Sequence, residues 1–149
     1  MSGTAFLQLR DALQAALLAA PALAGGRVYA GRTRPIAQEE ASAINLRLSD
    51  TQATHPVLQA TDWRTVVIVE CAARAAPGGP AADTAADALL ADAHTRLHDF
   101  AAPGLGLLQV TDDATVEWDH DADDTAYTCA TLRLTVVHRT PAATLQPWS

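Results

Sequence analysis

Apolar residues recur along this chain at two different periods, and the switches between them mark out its elements. Phe6, Leu9, Leu13 and Leu17 follow Thr4 at helical spacing and predict a helix from about residue 4 to about residue 20, with Thr4 suited to an N-cap. Pro21 and the Gly25-Gly26 pair end it. "RVYAG" then reads as a short strand that Gly31 turns into a polar segment. In "SAINLRL", Ile44, Leu46 and Leu48 fall on one face and Asn45 and Arg47 on the other, the alternation of a half-buried strand. The polar stretch "SDTQATHP" that follows reads as a loop.

The strongest period-two signal is "TDWRTVVIVECAARA". Trp63, Thr65, Val67, Val69 and Cys71 form a core row, and Arg64, Glu70 and Arg74 lie in the more polar row between them. "APGGP" breaks the chain, and Ala86, Leu90, Ala93 and Leu97 restore helical spacing, with Asp83 and Asp87 near the positive end of the helix dipole. "LLQVTDDATVEWD" and "AYTCATLRLTVVHRT", joined by a polar loop, predict a closing hairpin in which Ala130, Leu132, Leu134 and Val136 alternate with Thr131, Arg133, Thr135 and Val137. Residues 141–149 read as an irregular tail. This order predicts an α+β fold in one domain spanning residues 1–149: a mainly antiparallel sheet of about four to five strands, with two main helices packed on one face.

Composition narrows the function classes. A chain of 149 residues, 49% hydrophobic and 18% charged, suits one core of ordinary size. A net charge of -7 argues against general affinity for nucleic acid, because neutralising phosphates needs a basic face. All ten basic residues are arginine, and with the abundant alanine this fits a GC-rich genome. The first 26 residues resemble a signal peptide only superficially: the basic leader is missing and Arg10 and Asp11 interrupt the apolar run. No segment reads as a membrane span. Cys71 and Cys129 are too few and too dispersed for a disulfide scaffold or a thiolate metal site, so reduced thiols in a cytoplasm are expected.

Candidate chemistry is sparse. Asp119, Asp121 and Asp123 echo the first ligands of a calcium loop, but Asp124 stands where glycine is required and Ala130 where the bidentate acid belongs. His94 and His98 lie one helical turn apart without the glutamate of a zinc peptidase or an evident third ligand, and Asp92 and Asp99 are placed to pair with Arg96. No nucleophile elbow, phosphate loop or dinucleotide fingerprint is present, and Cys71 on an apolar row reads as structural. The residues predict a non-enzymatic domain with no cofactor, whose function lies in its surfaces.

The phrases "VYAGRTRPIAQEEASAINLRL", "DWRTVVIVECAARA" before an acidic alanine-rich helix, and the closing "YTCATLRLTVVHRT" resemble the tail terminator proteins of long-tailed bacteriophages, the lambda minor tail protein U group. The likeness is one of pattern and phrase order over most of residues 4 to 140; "PGGPAADTAAD" and the tail "PAATLQPWS" depart from it. It implies a structural subunit, made in the host bacterial cytoplasm and carried in the virion. Such a subunit assembles with itself into a hexameric ring, caps the tail tube protein and presents a surface to the head-tail connector protein. Arg32, Arg34, Glu39 and Glu40, in a polar segment with no ligand cluster, are the candidate interface residues. A head-completion or neck protein, and a small metal- or ligand-binding enzyme, remain open alternatives.

Overall fold

The computed structural model of the chain describes residues 3–32, 40–57, 59–76, 78–110, 115–120 and 127–147. Helix α1 (Ala5–Leu18) is followed by strand β1 (Val28–Ala30), the long strands β2 (Ser42–Val57) and β3 (Ala60–Arg74), helix α2 (Ala82–His98), the short strands β4 (Leu107–Val110) and β5 (Thr115–His120), and β6 (Tyr127–Pro141). The six strands make one mixed sheet in the order β1-β2-β3-β6-β4, with β5 also paired to β6. Only β1 runs parallel to its neighbour; the other pairings are antiparallel. β4 pairs the stretch of β6 around His138 and β5 the stretch from Thr128 to Arg133, so these two short strands share one edge. The α+β expectation, with both helices on one face, is met.

The core forms where the predicted apolar rows meet. Leu9, Leu13 and Leu17 of α1 and Leu89, Ala93 and Leu97 of α2 pack on Ile44, Leu46, Val67, Val69, Cys71, Leu132, Leu134 and Val136, all buried. Each fully buried leucine contributes about 1.5–3 kcal/mol relative to exposure. α1 lies over β1 and β2, whereas α2 lies over β3 and β6. Arg96 ties the helices together: its guanidinium donates to the carbonyls of Ala16 (3.2 Å) and Leu17 (3.2 Å), in the last turn of α1 where helical partners run out, and to those of Ala19 (2.7 Å) and Pro21 just beyond it. It is thus engaged with α1 rather than with Asp92 or Asp99. At the other end of α1, the Ala5 N–H donates to the Leu145 carbonyl at 2.7 Å, so the irregular tail caps the helix that Thr4 opens without a side-chain bond.

Two local expectations need correction. Residues 49–56 are strand, not loop: β2 continues past an irregularity between Leu48 and Asp50 and stays paired with β3 as far as Val57↔Ala60. Ladder hydrogen bonds hold this polar extension, so it needs no apolar row. On α2 the buried stripe runs through Ala82, Ala86, Leu89, Ala93 and Leu97, and Leu90 is only partly buried at its margin.

Candidate functional site

The predicted interface segment begins at Gly31, whose φ of +75° turns the chain out of β1. The Gly31 N–H still donates to Leu46 at 2.7 Å, and Asn45 then takes over the role of a strand backbone. Its Oδ1 accepts the Arg32 N–H at 3.0 Å, and its Nδ2 donates to the Arg32 carbonyl at 2.8 Å and to Glu70 Oε1 at 3.0 Å. Above this amide, Arg32 and Glu40 form a two-pronged ion pair, at 2.7 Å for Nη2–Oε1 and 3.4 Å for Nη1–Oε2. Tyr29 Oη donates to Glu40 Oε2 at 2.5 Å, and the Arg32 guanidinium lies 4.0 Å over the Tyr29 ring. The bond to the Glu40 carboxylate raises the Tyr29 pKa above its ordinary value, and the same carboxylate raises that of Arg32.

Arg32 and Glu40 therefore clamp the two ends of the polar segment against the sheet face opposite the helices. Arg34 and Glu39 lie outside the described residues, as do Asp121, Asp123 and Asp124 of the acidic loop. Arg47 adds a contact to Glu70 at 3.4 Å. The sequence places Asn45 in a polar row, yet it is fully buried, with its side-chain amide bonded to the Arg32 backbone and the Glu70 carboxylate.

A second polar cluster lies on the helix-covered face. Thr65 Oγ1 is 2.6 Å from Thr51 Oγ1 and 2.7 Å from His138 Nε2; Thr65 and His138 are buried, and Thr51 reaches the surface. Phe6 meets the edges of the Trp63 and His138 rings at centroid distances of 5.2 and 5.6 Å, and Trp63 Nε1 donates to Thr140 at 2.9 Å. Removal from water lowers the His138 pKa to about 4, so the ring is neutral at pH 7. His138 continues the even-numbered row of β6, and its place in the core follows from parity alone.

The third arrangement is β5, whose six residues are all exposed. Val116 and Trp118 stand 41% and 45% exposed on the helix side of the sheet, opposite Leu132 and Ala130. Beside them a groove of about 350 Å³ runs along α2, lined by Leu90, Ala91, His94, Val116 and Leu132. It meets, at Asp87, a cleft of about 420 Å³ lined by Asp83, Thr84, Trp118 and His120. The sequence carried a signal for this: Val116 and Trp118 occupy a row that should be core, but α2 sits over β3 and β6 and does not reach them.

The chemical candidates stay apart. The His94 and His98 rings stack at 6.0 Å, with His98 Nδ1 3.5 Å from Asp99, and among the described residues no three metal-ligating side chains are grouped. Cys71 and Cys129 are free and buried, and desolvation pushes the Cys71 thiol up to about 12, which disfavours the reactive thiolate. No described helix is long and apolar enough to cross a membrane. No protein-family model matches the chain, and no curated protein shows significant similarity to it.

Proposed function

We propose that this chain is a ring-forming structural subunit that caps the head-proximal end of a phage tail tube, ends its growth and offers a surface to the head-tail connector. The observation that carries the reading is the uncovered β5 edge, where Val116 and Trp118 stand beside a groove along α2. Exposed apolar side chains on a strand edge that no other described strand pairs are costly to leave in water and invite pairing with another chain. The resemblance in phrase order to tail terminator proteins supplies the kind of assembly. A cap must close on itself, because a head-to-tail contact that does not close propagates a filament.

Electron microscopy of the purified protein, alone at high concentration and mixed with tail tubes, tests this directly. Closed rings, six-fold on the family pattern, and tubes capped at one end are expected. A protein that stays monomeric at every concentration and leaves tube ends bare overturns the reading.

A further inference from the structure

The two faces of β5 differ in chemistry. Val116 and Trp118 stand exposed on the helix side, while Glu117 and Asp119, also exposed, fall on the opposite side, since neighbours along a strand alternate. Across from these two acids on β6 stand Thr131 and Cys129, and the arginine of that stretch, Arg133, is opposite Thr115. The pairing with β6 therefore sets no cation directly across from the acidic row. On the helix side, Asp83 and Asp87 of α2 line the cleft with Trp118 and add further negative charge. The outer edge of β5 pairs with no other described strand.

A strand added to that edge would meet both faces at once. Opposite Val116 and Trp118 it needs apolar side chains, which would also cover the groove formed with Leu90 and Leu132; opposite Glu117 and Asp119 it needs cations, because like charges directly across a strand pair are destabilising. Ladder hydrogen bonds supply affinity for any extended segment, so the alternation supplies the selectivity. A second copy fits poorly. β5 set antiparallel to β5 brings acid to acid, and the other short strands, β1 and β4, contain no basic residue.

We infer that the outer edge of β5 receives an extended segment of a different polypeptide, alternating apolar residues with lysine or arginine, as an added strand. This deepens the capping reading by naming the partner chemistry of the same edge, and rests on that reading for where such a strand would come from, the tube end or the connector.

Short end-capped peptides serve as probes in titration calorimetry at fixed salt: one alternates valine and lysine, one alternates valine and glutamate, and one gathers the valines and lysines of the first into separate blocks. The alternating lysine peptide should bind about tenfold tighter than either of the others. Hydrogen exchange should then slow at β5 amides. Glu117→Lys/Asp119→Lys should reverse the preference towards the glutamate peptide, and Val116→Ser/Trp118→Ser should weaken both alternating peptides. All four side chains are exposed, so both variants are expected to fold, as circular dichroism verifies. Should the serine variant fail to fold, the charge reversal alone decides.

Equal binding of the block-ordered peptide, protection outside β5 or an unreversed preference overturns the inference. So does slowed β5 exchange on raising protein concentration without peptide, which would assign the edge to a second copy. Rings or capped tubes from a protein that binds no peptide overturn the inference and leave the capping reading standing. Selective peptide binding by a protein that forms no rings and leaves tube ends bare upholds the added strand and overturns the capping reading.

Discussion

On the helix-covered face of the sheet, Thr51, Thr65 and His138 share hydrogen bonds without a formal charge; on the opposite face, Tyr29, Arg32, Glu40, Asn45 and Glu70 are held together largely by charge. Thr65 and His138 of the neutral cluster are buried beside Phe6 and Trp63, with Thr51 alone reaching the surface, so their bond gains from low dielectric and, carrying no charge, gives nothing up to salt. The charged cluster is half open, with Arg32 about a quarter exposed, so solvent screens much of its attraction. The first holds the fold together, and the second fixes where one segment leaves the sheet. Burial, more than the number of bonds, separates the two roles.

Variants sharpen that contrast. His138→Ala should cost the most, about 3 kcal/mol in urea unfolding, through the lost ring volume under Phe6 and the orphaned Thr65 hydroxyl. Acid should act through the same residue. The folded-state pKa of about 4 lies below the ordinary 6.5, so the unfolded chain binds the extra proton first. Stability is therefore full above pH 6.5 and is lost as pH falls towards 4, by up to about 3 kcal/mol. His138→Phe should flatten that part of the pH profile, and an unchanged profile would place the ring in water.

Across the sheet, Asn45→Ala should cost about 2 kcal/mol, since it strands the Arg32 backbone groups and leaves Glu70 Oε1 only its longer contact with Arg47. Its unfolding midpoint should move little with pH between 6.5 and 4 beyond the wild-type trend. Glu40→Gln should have the smallest effect, about 1 kcal/mol at low salt, shrinking as ionic strength rises. A salt-independent loss at Glu40, or a salt-dependent one at His138, would break the distinction between the two clusters.

Much of the fold was legible because local periodicity and burial agree. The alternation from Trp63 to Cys71 and from Ala130 to Val136 placed both central strands and the face that meets the helices. Residues 49–56 misled because a polar strand extension held by its neighbour has no apolar row to announce it. Leu90 and Leu89 are adjacent on α2, and which one enters the core depends on the helix's rotation over β3 and β6, a tertiary matter.

The candidate site was less legible. Arg32 and Glu40 read as candidate interface residues of a polar segment, but their mutual pairing and the burial of Asn45 come from contacts between distant segments. The sequence assigns Trp118 no face, and its exposure depends on how far α2 reaches over the sheet.

Arg96 has a kinetic consequence. One guanidinium donates to two carbonyls of the last turn of α1 and two just past it, while its backbone sits in the last turn of α2. Lifting α2 from the sheet therefore uncaps α1 at the same moment, and fraying of α1 loosens the anchor of α2. The two helices are expected to open as one cooperative unit in native-state hydrogen exchange, with amides of the last turn of α1 sharing the opening free energy of α2. The strands beneath them, stitched by β3 and β6 along their whole length, would then form a separate and slower-opening layer.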